Sequence, residues 1–393
     1  MRIPKDESPG PQISQKYVTG LRGIVAVQSL LWAYLSTFAP AMVYPSSVVE
    51  THGPTWQYVL RDVFCASFWN SSLICAWFLI LSARTACVPF LSKPTATNYA
   101  GSLIRRNFRI GIPISIALAV SLAVFTQIEH GYFDNFKTLL PGSAVEAPDL
   151  PQKPSAGVLS IYNLLWVDRN WAQQAGSTFW PTDTMWMPSL IYYQSYTVYT
   201  LMVILPFTRP SWHIQGLLIF ALGSYWLESW AWYSATGLFL ADLAIDPALN
   251  QKLRAGIAIK GNVRVSFSIP AVALTVLGLV QKYLWIAAFP EQINWELKLH
   301  PVYYTGGSAA SAVDSLDPSQ PYPRLDDWMV VVGLTLLVEL YEPVQQALSV
   351  RPLTYLGDRS LSKLLFDSLL RALLTTNCRY LCFSKPCCIH GWH

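Results

Sequence analysis

Long apolar runs recur along this chain, and they constrain its fold more than any other feature. The stretch SLICAWFLIL, residues 72–81, has no charged side chain. A helix needs about 20 mostly apolar residues to cross the hydrocarbon core of a bilayer. Runs of that order occupy 23–44, 70–90, 109–128, 185–207, 265–286 and 327–348. Two shorter ones cover 213–228 and 230–245, and a weaker one begins near Leu361. They are continuously apolar and lack the alternation that a membrane β-barrel requires. Composition agrees: 52% of the residues are hydrophobic and only 13% are charged, against about 25% charged in a soluble domain. The expectation is an all-α fold, a polytopic transmembrane helix bundle of about 8–10 spans.

Charge placement orients the bundle, because loops rich in Lys and Arg stay in the cytosol. Segment 1–22 carries Arg2, Lys5, Lys16 and Arg22, and segment 84–109 carries Arg84, Lys93, Arg105, Arg106 and Arg109. Both read as cytosolic, which predicts a cytosolic N-terminus. The loop 129–184 then falls on the far side, and it holds more acids than bases. The basic loop with Lys252, Arg254, Lys260 and Arg264 returns to the cytosol only if 213–245 makes two passes. Two short helices with a tight turn near Glu228 are therefore predicted.

Residues 1–16 form a polar, proline-containing tail without the pattern of a cleaved signal peptide. Loops 129–184 and 287–326 are long, and YNLLWVDRNWAQQ suits an interfacial helix with its tryptophans at headgroup level. Residues 377–393 break composition and hydropathy. Their Cys378, Cys382, Cys387, Cys388, His390 and His393 lack the Cys-x2-Cys pairs of a typical zinc site. That tail reads as a mispredicted exon or frame, and no metal or tightly bound cofactor is expected. Basic residues follow the membrane rim rather than an aromatic-laced patch, which gives nucleic-acid binding no support.

One rim gathers most of the arginines. Arg22 stands at the entrance of the first run, and Ala26, Ser29, Ala33 and Ser36 share its face at 3.6 residues per turn. Such a small-residue stripe lets membrane helices approach closely, and snorkelling to lipid phosphates suits Arg22 itself. Arg84 ends the second run, Arg105, Arg106 and Arg109 open the third, and Asp242 lies at the same level. Charges at membrane depth are usually paired or functional. Five arginines on one rim suit a phosphate-rich ligand such as a coenzyme A thioester, and equally the headgroups of membrane lipids.

These segments carry a resemblance. GLRGIVAVQSLLW, WFLILSARTACVPFL, IRRNFRIGIP, TGLFLADLA and RPLTYLGDRSLS resemble, in order, five motifs of the membrane acyltransferase 3 family, and look closest to its divergent fungal branch. The resemblance marks 17–376 as an acyltransferase 3-like transmembrane domain. It implies transfer of an acyl group from acyl-CoA to a hydroxyl or amine of a metabolite, lipid, sugar or glycoconjugate. It also implies a donor site made of Arg22, Arg84, Arg105, Arg106 and Arg109, in the endoplasmic reticulum or another endomembrane.

Two positions depart from the family pattern. The family places a histidine eleven residues after the arginine, about 16 Å up the same helix face, and here that position is Ala33. MWMPSLIYYQSYTVY resembles a family segment with an acidic residue where this chain has Ile191. Proton transfer needs such groups, so the catalytic residues are left unassigned. His52, His130, His213 and His300 read as ordinary surface histidines. Two functions stay open: an acyl-CoA-dependent O-acyltransferase, or an inactive relative acting as a membrane scaffold, lipid-binding or transport component.

Overall fold

The computed structural model describes residues 15–44, 53–125, 186–245, 247–260, 263–292, 295–299 and 322–361, together with Leu159, Ile161, Tyr162 and Leu165. The interfacial helix expected in 162–174 and the cysteine- and histidine-rich tail lie almost wholly outside these residues, as do His52, His130 and His300.

The described chain is helical apart from one hairpin. Helices α1 (Lys16–Phe38), α2 (Ser71–Ser92) and α3 (Ala96–Phe125) come first, followed by α4 (Trp186–Ile204), α5 (Pro210–Trp226) and α6 (Ala231–Ile245). After α7 (Pro247–Ala255) comes an antiparallel pair, β1 (Ile257–Lys260) and β2 (Val263–Val265), which corrects the purely α expectation within the basic loop. The chain continues through α8 (Ser268–Tyr283), α9 (Leu325–Leu340), α10 (Glu342–Leu348) and α11 (Arg351–Asp358). Lys16–Phe38, Thr55–Ser92 and Ser268–Ala288 are long and apolar enough to cross a membrane.

Local chemistry sets the boundaries. Helix α1 begins earlier and ends earlier than the apolar run 23–44, because Pro40 pushes Ala39 out of helical geometry. The Asn70 side chain accepts the Leu73 N–H at 3.1 Å and so caps α2, and the Lys93–Pro94 step ends that helix. Proline opens α5 at its first position. The pair expected on either side of Glu228 is present as α5 and α6. RPLTYLGDRSLS, which lies outside the apolar runs, is helical from Arg351 to Asp358.

Helix α2 is the hub, packing on α1, α3, α4, α6 and α9. It is apolar all round, as befits a central helix, and Leu73 to Ala83 are buried without a break. Its partners approach through glycine. A Cβ on Gly237 would stand 2.6 Å from Ala83 Cβ and from the Ile80 carbonyl oxygen, so α6 meets α2 almost backbone to backbone. Helix α1 meets α10 and α11 in the same manner. A Cβ on Gly20 would overlap the Leu348 carbonyl, one on Gly23 the Leu353 carbonyl, and one on Gly357 the Thr19 carbonyl.

The outer surface inverts the usual distribution. Ile104, Phe108, Ile112 and Ile116 are exposed at every fourth residue of α3, and Ile269, Val272, Val276 and Val280 form a similar row on α8. Arg84, Lys282, Asp326, Asp327 and Glu339 are buried.

Candidate functional site

Two polar rungs cross the apolar interior. Ser72 and Arg84 lie twelve positions apart on α2, as do Asp327 and Glu339 on α9, a rise of about 18 Å on each helix. Lys282 of α8 donates to Asp327, comes within 3.9 Å of Asp326, and reaches Ser72 Oγ at 3.4 Å. Arg84 donates to Glu339. Helices α2 and α9 therefore run side by side in the same direction, with one rung near each end.

At the Arg84 end, the guanidinium is 1% exposed and its partner Glu339 is 5% exposed. The Tyr17 hydroxyl donates to Glu339 Oε1 at 2.9 Å and accepts from Arg84 Nη2 at 2.8 Å. Three helices are thus tied by one closed network, and Arg84 is committed inside the protein. Arg105 is exposed and folds back onto the Gly101 carbonyl at 2.9 Å.

The remaining arginines converge. Arg22 donates to Ser360 Oγ at 3.1 Å, joining the GLRG stretch of α1 to the segment after α11 across the glycine contact. Arg106 donates to Ser195 Oγ at 3.0 Å and to Ser82 Oγ at 2.5 Å, joining α3 to α4 and α2. Arg106, Arg109 and Asp358 all stand within electrostatic reach of Arg22. Among the charges acting on Arg22 are thus two further cations and one carboxylate. Close by, a cavity of about 300 Å³ opens between α3 and α4, lined by Asn107, Phe108, Ile112, Ser115 and Tyr192. Tyr192 donates to Asn107 Oδ1 at 3.0 Å; Asn107 directly follows Arg106, and Tyr192 lies about one turn before Ser195.

The face above Arg22 carries no acid–base group. Ala26, Ser29, Ala33 and Ser36 are all buried, and so is Ile191 on α4. His213 lies apart on α5, its Nε2 3.2 Å from the Thr208 carbonyl oxygen. Among the described residues, no group of three or more His, Cys, Asp and Glu side chains is arranged to hold a metal ion.

At the opposite end, Arg324 donates to both oxygens of Asp326 at 3.0 and 3.1 Å, and to the Tyr322 hydroxyl at 3.0 Å. The Tyr233 hydroxyl donates to the Arg324 carbonyl at 2.6 Å, and Glu296 accepts the Leu325 N–H at 2.9 Å. Sequence reading passed over this rung and the Tyr17–Arg84–Glu339 network alike. The signal was available: Lys282 is the lone charge of the run 265–286, and Asp326–Asp327 opens the run that carries Glu339.

Fold and site together define a helical bundle with an apolar exterior, charged rungs within, and an arginine cluster at one end. Compared with known proteins, the chain matches no family model, no curated protein and no solved structure.

Proposed function

We propose that this is a multi-pass integral membrane protein with about 8–10 spans and a cytosolic N-terminus, whose inner-face arginine cluster binds the phosphates of an acyl-CoA for transfer to a hydroxyl or amine. One observation carries the reading. Arg22, Arg106 and Arg109 converge with only Asp358 among the charges acting on Arg22 to offset them, an excess of positive charge that suits a polyphosphate. The exposed apolar rows on α3 and α8 fit lipid as the surrounding solvent. The cavity between α3 and α4 lies close enough to the cluster to take the acyl chain while the arginines hold the head.

A specific observation favours a second reading, in which the fold binds an anionic lipid or acyl-CoA without turning it over. Ala33 and Ile191, where the acyltransferase resemblance would place a histidine and an acid, are buried and apolar.

Acyl-CoA binding to detergent-purified protein, beside its Arg22→Ala variant, tests the donor site. Losing one charge-assisted contact is worth about 1.5–3 kcal/mol, or roughly 10- to 100-fold in affinity. Equal binding by both proteins, or none by either when both are folded, sinks the donor site. Release of free coenzyme A in the presence of candidate acceptors then separates the enzyme from the binding protein.

A further inference from the structure

Among the described side chains, the end of the bundle opposite the arginines holds a charge imbalance. Lys282 and Arg324 supply the two positive charges described there, and each is already paired, Lys282 with Asp327 and Arg324 with Asp326. Two further carboxyls, Glu228 and Glu296, share the same region. Glu296 is buried and bonded to the Leu325 N–H. Glu228 is 4% exposed, and neither of its carboxylate oxygens has a hydrogen-bond partner among the described residues. Burying a carboxylate that has no partner among the described residues is costly in its charged form, and taking up a proton relieves that cost.

The backbone underlines the choice of side chain. Glu228 sits in the turn between α5 and α6 at φ +54°, in the left-handed region that favours glycine. A long acidic side chain is held where the turn alone would prefer none.

We propose that Glu228 and Glu296 form a proton-binding site at this end of the bundle, with Glu228 as the group that takes up and releases the proton. The ligand is a single hydron, carried on a Glu228 oxygen as a neutral carboxylic acid and released to water as the carboxylate forms. The groups facing it are Glu296 from the segment Glu296–Leu299, Tyr225 from α5, and Tyr322 from the strand-like approach to α9. Arg324, Asp326 and Asp327 act on Glu296 from the other side. Burial, reinforced by the charge of Glu296, pushes Glu228 up to about 8, and burial pushes Glu296 up to about 7. Both values fall where ordinary media exchange protons. The site is independent of the arginine cluster and of any acyl transfer.

The test is infrared spectroscopy of the full chain in nanodiscs, following the protonated-carboxyl C=O band from about pH 6 to about pH 9. The wild type is expected to lose two such bands across that window, one for each carboxyl. Glu228→Gln is expected to remove the loss with the higher midpoint and leave the other. Glu296→Gln, which removes a neighbouring negative charge, is expected to move the Glu228 midpoint down by about one pH unit. This second variant keeps the test decisive if Glu228→Gln fails to fold. No band lost in the wild type, both losses persisting in Glu228→Gln, or a Glu228 midpoint unmoved in Glu296→Gln would each overturn the proposal.

Discussion

Removing the Glu339 carboxylate tests the internal architecture most directly. Arg84 is fully enclosed, its Nη2 bonds go to Glu339 and Tyr17, and its guanidinium lies 5.6 Å from the centre of the Tyr17 ring. Glu339→Ala leaves that cation without a counter-charge at membrane depth, a loss of about 3–5 kcal/mol. Unfolding entropy of about 2.1 cal/mol/K per residue, taken over the chain's length, makes that a fall of about 4–6 °C in Tm. The assay is a thermal shift of detergent-purified protein at neutral pH.

The double variant Arg84→Met with Glu339→Leu gives the reasoning its edge. It removes both charges together and fills similar volume, and such replacements are often neutral or better. The Tyr17 hydroxyl then loses both partners, at a cost of about 1 kcal/mol, so the double variant should sit within about 2 °C of wild type. Should Glu339→Ala melt within about 1 °C of wild type, the guanidinium is being satisfied by water or lipid and the buried network is wrong. A double variant no better than the single one would show that packing, rather than charge, sets the loss.

Other consequences follow from named contacts. Gly23→Val drives a side chain into the Leu353 carbonyl, which cannot step aside, and should abolish the monodisperse peak in fluorescence-detected size exclusion. Gly216→Ala on α5 meets nothing within 4 Å and should raise stability by about 0.5–1 kcal/mol in the same thermal assay. Stability should fall with pH because the folded state keeps a proton on Glu228 that the unfolded chain has released. That contribution is fully present below the ordinary glutamate range and is lost as pH rises to about 8. Tm against pH should therefore flatten in Glu228→Gln. Glu228→Gly, which also relieves the left-handed backbone, should melt at least as high as wild type at pH 8.

What could be read from the sequence was the part that repeats. Apolar runs of helical length announce helices because each must satisfy its backbone internally, whatever its neighbours do. The turn at Glu228 followed from where the basic residues fell, and the buried stripe from Ala26 to Ser36 followed from helical period alone. The helix at Arg351–Asp358 was hidden, since RPLTYLGD has little hydropathy and gains its place by lying against α1 through Gly357 and Gly23. The arginine rim was visible as composition, but its division was not. Nothing in WFLILSARTACVPF says that Arg84 turns inward, because its partners Glu339 and Tyr17 stand 255 and 67 residues away.

That division carries the functional argument further than the motif did. An arginine that already has a carboxylate and a phenol has little left to offer a ligand, whereas the side-chain hydrogen bonds of Arg22 and Arg106 among the described residues go to serine hydroxyls, which are neutral and easily exchanged for phosphate oxygens. Arg84 thus supports the bundle, and in the proposed reading Arg22, Arg106 and Arg109 are the arginines left to meet an anion. Arg84→Lys and Arg22→Lys separate the two roles. Lysine lacks the planar fork of donors, so at position 84 it should lower Tm while leaving anion affinity per folded molecule unchanged. At position 22 it keeps the charge on a half-buried helix entrance, so Tm should hold while acyl-CoA affinity falls by about tenfold or less. Loss of affinity in a fully active-folded Arg84→Lys protein would return Arg84 to the ligand and refute the division.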